Sequence, residues 1–494
     1  MLPYKSIIRI DRSSGQALYL QISNEILKRI TEGVISSGHK LPSSRQLSEL
    51  LQINRRTVIA AYEELETQGW IETIAHRGSF VSDKLPLLKQ KYFLASELER
   101  EPESGKNGWL PNKYDFLTKR SDEHFETKLT IDAGYPDVRL APARELSRNL
   151  NALSRSKRYL SLMNYSDQFS GDVKLREALI QNLAETRSIH INLNQIFVTR
   201  GSLMAFNLLF QLLLEPGDSV VAQISFKVVN QIIEVHGGQL VKVGIDDEGI
   251  DVDAIEAVCQ QKKIRAVFVM PHHNNPTTVT LSAKRRMKLL TLAQKYQFAI
   301  IEDDYDYDFH FNSSPILPMI SADRFGNVIY VGSLSKTIAP GLRMGYVVAS
   351  EEIIQQLSAL SRIMDCHGNH SLERAVAVLY QDGDIRRYLK KSLRLYRQRR
   401  DLFCQTLQEH LGDKVQFQVP EGGLAVWVHF TDELSIRDIR QQTLELGLRL
   451  PKTVFQDERG NDINAIRMGF ASLNDDEMNE SITVLAKVIG KAYE

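Results

Sequence analysis

The stretch YVGSLSKTIAPGLRMGY, residues 330 to 346, decides how the larger part of this chain is read. It begins as an apolar run, VIYVGS, and passes into a hydroxyl-rich turn in which Lys336 follows Ser333 and Ser335. Seven residues beyond the lysine stands Arg343, whose planar guanidinium can clamp a phosphate from the other side. An amine beside a phosphate cradle is what pyridoxal phosphate requires, since that cofactor carries an aldehyde for a Schiff base and a phosphate for anchorage.

Outward from this stretch, from about residue 127, short apolar runs alternate with helical ones: IFVTRG, DSVVAQ, QLVKVGI, AVFVMP, FAIIEDD and VIYVGS. That alternation predicts a parallel sheet covered on both faces, in which ligands bind at the carboxyl ends of the strands. The candidate residues fall at those ends. Gly201 and Ser202 follow IFVTR and open a helix whose first amides can hold an anion, although many strand-to-helix turns look the same. Phe226 follows the next strand and either stacks on a flat heteroaromatic ring or packs in the core. Asn275 precedes Pro276 in PHHNNPTT, where its amide can donate to a phenolate oxygen. After FAII comes EDDYDYDF, in which one carboxylate can pair with a pyridinium nitrogen and Tyr305 can reach the phenolate. Acidic runs are usually solvated loops, but this one stands about thirty residues ahead of SLSK, which favours a role at the site.

Residues 16 to 83 predict three helices and a strand pair. Leu18, Ile22, Ile26 and Ile30 recur at helical spacing; Ser43 or Ser44 caps a short second helix; a third starts at Asn54 and ends at Gly69. The turn between the last two helices is only a few residues long, which is helix-turn-helix geometry. Trp70 to Glu72 and Ser79 to Val81 fit a hairpin wing with Arg77 and Gly78 at its tip. Lys40, Ser44 and Arg45, then Arg55, Arg56 and Thr57, and lastly Arg77 with Gly78 stand where contact with duplex DNA needs them. Any one of these arginines is as readily a solvated surface charge; the cluster carries the reading.

Composition sets the limits. At 494 residues the chain exceeds one core, and a net charge of zero excludes binding of nucleic acid by bulk charge, so DNA contact must come from a local patch. Cys259, Cys366 and Cys404 are scattered and read as reduced, buried thiols. No metal is expected, because His272, His273, His367 and His370 show no partner carboxylate or cysteine set. The start of the chain lacks signal-peptide character, and Leu203 to Leu214 is too short to span a bilayer, so the expectation is a cytoplasmic protein with no membrane partner. The basic run RRYLKKSLRLYRQRR, 386 to 400, reads as a solvated helix face in preference to a further DNA contact.

The segment LPSSRQLSELLQINRRTVIAAYEELETQGWIETIAHRGSFV resembles the winged helix-turn-helix of GntR-type bacterial regulators, and residues 127 to 494 resemble fold-type I pyridoxal-phosphate enzymes of the aspartate aminotransferase superfamily. The whole chain is similar to the MocR/GabR subgroup of GntR regulators. From about 86 to 126 periodicity fades and Pro102, Gly105, Gly108 and Pro111 punctuate a polar stretch, which reads as a linker. The resemblance implies an α+β winged helix-turn-helix domain over 11–85 ahead of it and an α/β aminotransferase-like effector domain over 127–494 after it. It implies that Lys336 forms the internal aldimine, that Asp303 pairs with the pyridine nitrogen, and that Tyr305 and Asn275 contact the ring oxygen. Gly201, Ser202, Ser333, Ser335 and Arg343 would surround the phosphate, Phe226 would stack on the ring, and Arg467 in AIRMGFAS would hold an effector carboxylate. The implied function is a regulator, not primarily an enzyme, that binds double-stranded operator DNA as a head-to-tail homodimer and senses an amine or amino acid by aldimine exchange at Lys336. The alternative is a working aminotransferase that carries a DNA-binding domain. The chain departs from the family pattern in reading AQISFKVV, where an acidic residue, Pro-Gly and a tyrosine are usual. Gamma-aminobutyrate-responsive members place a second arginine just beyond that aromatic; Lys227 and Val228 stand here, which puts that effector in question.

Overall fold

The computed structural model describes residues 3–12, 14–83, 127–157, 159–223, 227–311, 316–431, 435–456 and 460–491. The expected linker and Phe226 lie outside the described residues. The chain divides into two compact units, Met1–Lys113 and Tyr114–Glu494.

In the first unit, helix α1 (Leu18–Thr31) turns Ile22, Ile26 and Ile30 inward. Helix α2 (Ser44–Leu51) begins at a reciprocal cap: the Ser43 hydroxyl accepts from the Gln46 amide, and the Gln46 side chain accepts from the Ser43 amide. Gln52, in the left-handed region at φ 52°, ends α2, and Asn54 caps α3 (Arg55–Thr67) by accepting from the Arg56 amide. Both helices bury one apolar face, Leu47 from α2 and Val58, Ala61, Tyr62 and Leu65 from α3. Strands β1 (Ile71–Ile74) and β2 (Gly78–Val81) pair antiparallel from Ile71 opposite Val81 to Ile74 opposite Gly78. The ladder is longer at its tip than the sequence reading expects, because a tight turn closed by the Arg77 amide on the Ile74 carbonyl lets the strands pair up to it.

The second unit is built on a seven-stranded sheet: β3 (Ile196–Thr199), β4 (Ser219–Gln223), β5 (Gln239–Val243), β6 (Ala266–Val269), β7 (Ala299–Asp304), β8 (Val328–Ser333) and β9 (Gly345–Val348). The strand order is β3-β9-β8-β7-β6-β4-β5, parallel except for β9, which runs antiparallel to both neighbours. Among the described residues β3, β4, β6 and β8 are buried along their whole length, which explains why they are continuous apolar runs without alternation. A smaller antiparallel sheet, β10 (Val415–Phe417), β11 (Ala425–Phe430) and β12 (Ala465–Gly469), shares a second core with the long helix α4 (Asp384–Leu411).

Three expectations are corrected. The acidic run is no loop at its start: β7 continues through Asp304, so Glu302 and Asp304 share one face and Asp303 the other. Solvation of the basic run is incomplete, since Arg399 and Arg400 on α4 are buried, donating to Asp137 at 2.9 Å and to the Pro420 carbonyl at 2.8 Å. Arg394 and Arg397 are exposed. Of the cysteines only Cys404 is buried; Cys366 is exposed, and all three are free thiols.

Candidate functional site

Lys336 lies in the single helical turn Leu334–Thr337, directly after β8, with Ser333 as its cap accepting from the Ser335 amide at 3.2 Å. The lysine Nζ donates to the Gly134 carbonyl at 2.8 Å and sits 4.2 Å from the ring centre of Tyr135. Burial lowers its pKa to about 8, with Arg467 adding to the effect and Asp132 and Asp306 opposing it. Near neutral pH the amine therefore holds a proton that it can lose readily, as a Schiff-base lysine must.

Asp303 and Tyr305 reach the same carboxyl edge from the end of β7, whose Asp303 pairs in register with Val331 of β8. Asp303 is buried, and its Oδ1 has no hydrogen-bond partner among the described residues. Burial, then Asp304 and Asp306, push its pKa far above the usual carboxylate range. Such a carboxylate is costly without a donor, and the protonated nitrogen of a pyridine ring is a donor of the right kind. The donor set around it therefore fits pyridoxal phosphate.

The ring-oxygen side is made by Tyr305 and the 273–276 segment. The Tyr305 hydroxyl donates to the His273 carbonyl at 2.5 Å and accepts from Arg467 Nη2 at 3.2 Å. Arg467, in β12 opposite Trp427, is among the largest fully buried side chains. Its Nη1 donates to the Asn274 and Pro276 carbonyls and its Nε to the Ala133 carbonyl, at 3.1 to 3.2 Å. Asn275, half-buried and followed by a cis bond to Pro276, has its backbone carbonyl bound by Gln223 Nε2 at 3.1 Å. On the phosphate side Gly201, at φ +85°, caps helix Ser202–Leu213; a Cβ there would stand 3.0 Å from Arg343 Nη2, so glycine lets the guanidinium close on the helix start. Arg343 is exposed, while Ser333 is buried and Ser202 and Ser335 are half-buried.

Beneath these groups lies a buried polar layer that the sequence reading missed. His273 Nδ1 meets Asp306 Oδ1 at 2.9 Å and His272 Nδ1 meets Asp304 Oδ1 at 3.3 Å, single carboxylate neighbours that the sequence did not reveal. Among the described residues no group of three or more side chains is arranged to hold a metal. Burial pushes the Asp304 pKa up, but His272, Arg187 and the Tyr330 hydroxyl outweigh it and bring it down to about 2. Arg187 extends the layer, bonding Tyr330 at 3.0 Å and Asp308 at 3.0 Å, and Asp308 accepts from Thr337 beside the lysine at 2.9 Å. The signal for this layer was present in the sequence as acids spaced by two in DDYDYD, opposite the paired histidines. The segment Asp132–Tyr135 was likewise missed, although DAGYPD carries a turn signature.

In the first unit the candidate DNA residues gather on the start of α3, the start of α2 and the wing. Lys40, Arg45, Arg55, Arg56, Arg77 and Gly78 are exposed, and Ser44 and Thr57 half-buried. Arg55 Nε donates to the Ser44 hydroxyl at 3.2 Å, and Arg45 pairs with Glu49 at 3.2 Å. Lys40 and Arg77 flank the Phe80 ring at 5.7 and 6.0 Å, which ties the wing to the strand-like residue before α2.

Two families match. Residues 150–485 match the aminotransferase class I and II family, and residues 18–81 match the bacterial regulatory proteins of the gntR family. The chain belongs to the aminotransferase class I and II family and carries a gntR-family DNA-binding domain ahead of it, the architecture of MocR/GabR-like regulators. It is similar to the uncharacterized HTH-type transcriptional regulator YdfD of Bacillus subtilis (strain 168), at 28% identity over 95% of this chain and 96% of the relative. It is similar also to the probable rhizopine catabolism regulatory protein MocR of Rhizobium meliloti, at 22% identity over 96% and 94%. Among solved structures, the kynurenine aminotransferase of Pyrococcus horikoshii matches with a TM-score of 0.69 and 25% identity, over 78% of this chain and 98% of that one. The protein is thus a transcriptional regulator whose second unit has the fold-type I aminotransferase fold.

Proposed function

We propose that the second unit binds pyridoxal phosphate and that the regulator responds when the amine of a small effector, an amine or amino acid, takes the place of Lys336. The observation that carries this reading is the pairing of a desolvated, readily deprotonated Lys336 with a buried Asp303 carboxylate that lacks a donor. The cofactor supplies an aldehyde that condenses with amines and a ring that withdraws electrons. The protein's own groups do the rest. Asp303 accepts from the ring nitrogen, Tyr305 and Asn275 orient the ring oxygen, and Ser202, Ser333, Ser335 and Arg343 hold the phosphate beside Gly201. Arg467 is the group for an effector carboxylate, because its buried charge has only neutral acceptors around it: three carbonyls and the Tyr305 hydroxyl. A bound effector acts only through its differential affinity for two arrangements of the protein.

On the DNA side, Arg55, Arg56 and Thr57 enter a major groove while Lys40, Ser44, Arg45 and Arg77 hold phosphates. The operator is read by a homodimer, head-to-tail in the manner of the family. Transamination is the second reading, favoured by the presence of Lys336, Asp303 and Arg467 together. The deciding experiment is an absorbance screen of amines and amino acids against cofactor-loaded protein, paired with keto-acid assay. A spectral response with no multiple-turnover product supports sensing; sustained keto-acid release supports the enzyme; failure of the protein to take up the cofactor overturns both.

A further inference from the structure

Lys336 has two partners outside the groups assigned above, and both come from one short loop. Asp132 Oδ1 accepts from the Gly134 and Tyr135 amides at 2.7 and 2.8 Å, and its Oδ2 accepts from the Ser472 hydroxyl at 2.5 Å, so a single carboxylate folds and anchors the turn. The turn is pressed onto the small sheet. The Gly469 amide donates to the Asp132 carbonyl at 2.7 Å, and a Cβ on Gly469 would stand 2.2 Å from Asp132 Oδ1. Gly134, at φ +96°, has the Ala425 Cβ and Arg467 Nη2 within 3.0 and 3.6 Å of where its own Cβ would be. Glycine is required at both positions for the loop to lie this close to Arg467. The result is a carbonyl and an aromatic face, held rigidly, that both point at one ammonium group.

We infer that Gly134 and Tyr135 form an ammonium-binding site that receives the Lys336 side chain whenever it is not engaged with a cofactor. The carbonyl accepts one N–H at 2.8 Å, and the ring face lies 4.2 Å from the charge, within the range of a cation–π contact. Holding the displaced lysine here keeps one N–H bonded to a carbonyl and its charge against an aromatic face. The site so biases Lys336 toward release, and Tyr135 becomes a determinant of how readily an amine displaces it. Tyr135 is 53% exposed, so its side chain contributes a contact to Lys336 without serving the core. The inference about displacement rests on the cofactor reading, but the ammonium site itself does not.

The test therefore uses full-length protein freed of cofactor. The pH dependence of Lys336 acylation, followed by peptide mass spectrometry, reports the proton affinity of the amine in wild type, Tyr135→Phe and Tyr135→Leu. The charged groups that also face this amine, Asp132, Asp306 and Arg467, are unchanged throughout. Tyr135→Phe keeps the aromatic face and is expected to titrate with wild type. Tyr135→Leu removes the face but keeps apolar bulk, and its midpoint is expected to fall by roughly half a unit to one unit. A Leu variant that titrates with wild type, or whose midpoint rises toward that of an ordinary lysine, overturns the site: the ring would then be idle or would only exclude water. Equal loss in Phe and Leu also overturns it, because the hydroxyl and not the face would then act. Failure to bind pyridoxal phosphate at all leaves this result untouched and instead sinks the reading on which displacement rests.

Discussion

Two acids side by side on β7, Asp303 and Asp304, show how environment assigns different work to the same side chain. Asp304 is surrounded by His272, Tyr330 and Arg187 and stays ionised; Asp303 lacks a donor and resists ionisation. Asp303→Asn should leave the fold intact, since no hydrogen bond of its Oδ1 is lost, and should weaken pyridoxal phosphate binding by tenfold or more, as read by equilibrium dialysis. Asp304→Asn should cost roughly 3 kcal/mol or more in urea unfolding, because it leaves a buried Arg187 short of a partner. The sign with pH follows from the lowered pKa: the stability due to the Asp304 carboxylate is fully present above about pH 4 and is lost as pH falls through about 2. An Asn variant that unfolds like wild type at pH 7 would refute this. For the covalent role, borohydride reduction of loaded wild type should fix the cofactor to the peptide containing Lys336, and Lys336→Ala should show no such adduct while its melting transition stays cooperative.

At the scale of elements, legibility followed burial. Strands β3, β4, β6 and β8 are buried along their length, so each appeared in the sequence as an apolar run that only a strand could accommodate in so few residues. The helix starts were legible because capping is local chemistry: of the two candidates Ser43 and Ser44 it is Ser43 that caps, and Asn54, read as the start of the next helix, is its cap. At the end of β7 a role for one carboxylate was legible from its distance to SLSK, but the strand's continuation and the partners of Asp304 were not, because a histidine and an arginine from distant segments are brought against it only by the fold. The loop Asp132–Tyr135 was hidden because its importance lies in contacts with Lys336 and with Gly469 of β12, hundreds of residues away in sequence. The basic run on α4 divides by contact and not by charge, with Arg399 buried on Asp137 and Arg394 and Arg397 in water. This predicts an order of effects in salt-controlled DNA titrations. Arg55→Ala or Arg56→Ala should remove specific binding, at about 1 to 3 kcal/mol for a base-reading arginine, with cofactor content unchanged. Charge reversal at Arg394 and Arg397 should do less, and the reverse order would move the DNA interface into the second unit.

For the whole molecule, the proposed function requires that an event at one amine become a change in DNA binding. The candidate site of the second unit spans its seven-stranded and three-stranded sheets: Lys336 and Asp303 stand at the carboxyl edge of the larger, whereas Arg467 and the Asp132–Tyr135 loop are fixed to the smaller. On the proposed function, an effector that bonds to Arg467 with its carboxylate and takes the place of Lys336 with its amine would bridge these two sheets and favour whichever arrangement brings them closer. A two-headed helix-turn-helix protein reads paired half-sites, so such a change matters to DNA only if two chains are joined. Sedimentation equilibrium at micromolar concentration should accordingly give twice the mass of one 56.2 kDa chain, with or without effector. The spacing tolerance of operator half-sites, measured with duplexes whose half-sites are moved apart in single base-pair steps, should shift when a responding amine is added. A monomer with cofactor bound would remove this route altogether, since the two sheets could then close without any second recognition helix to reposition.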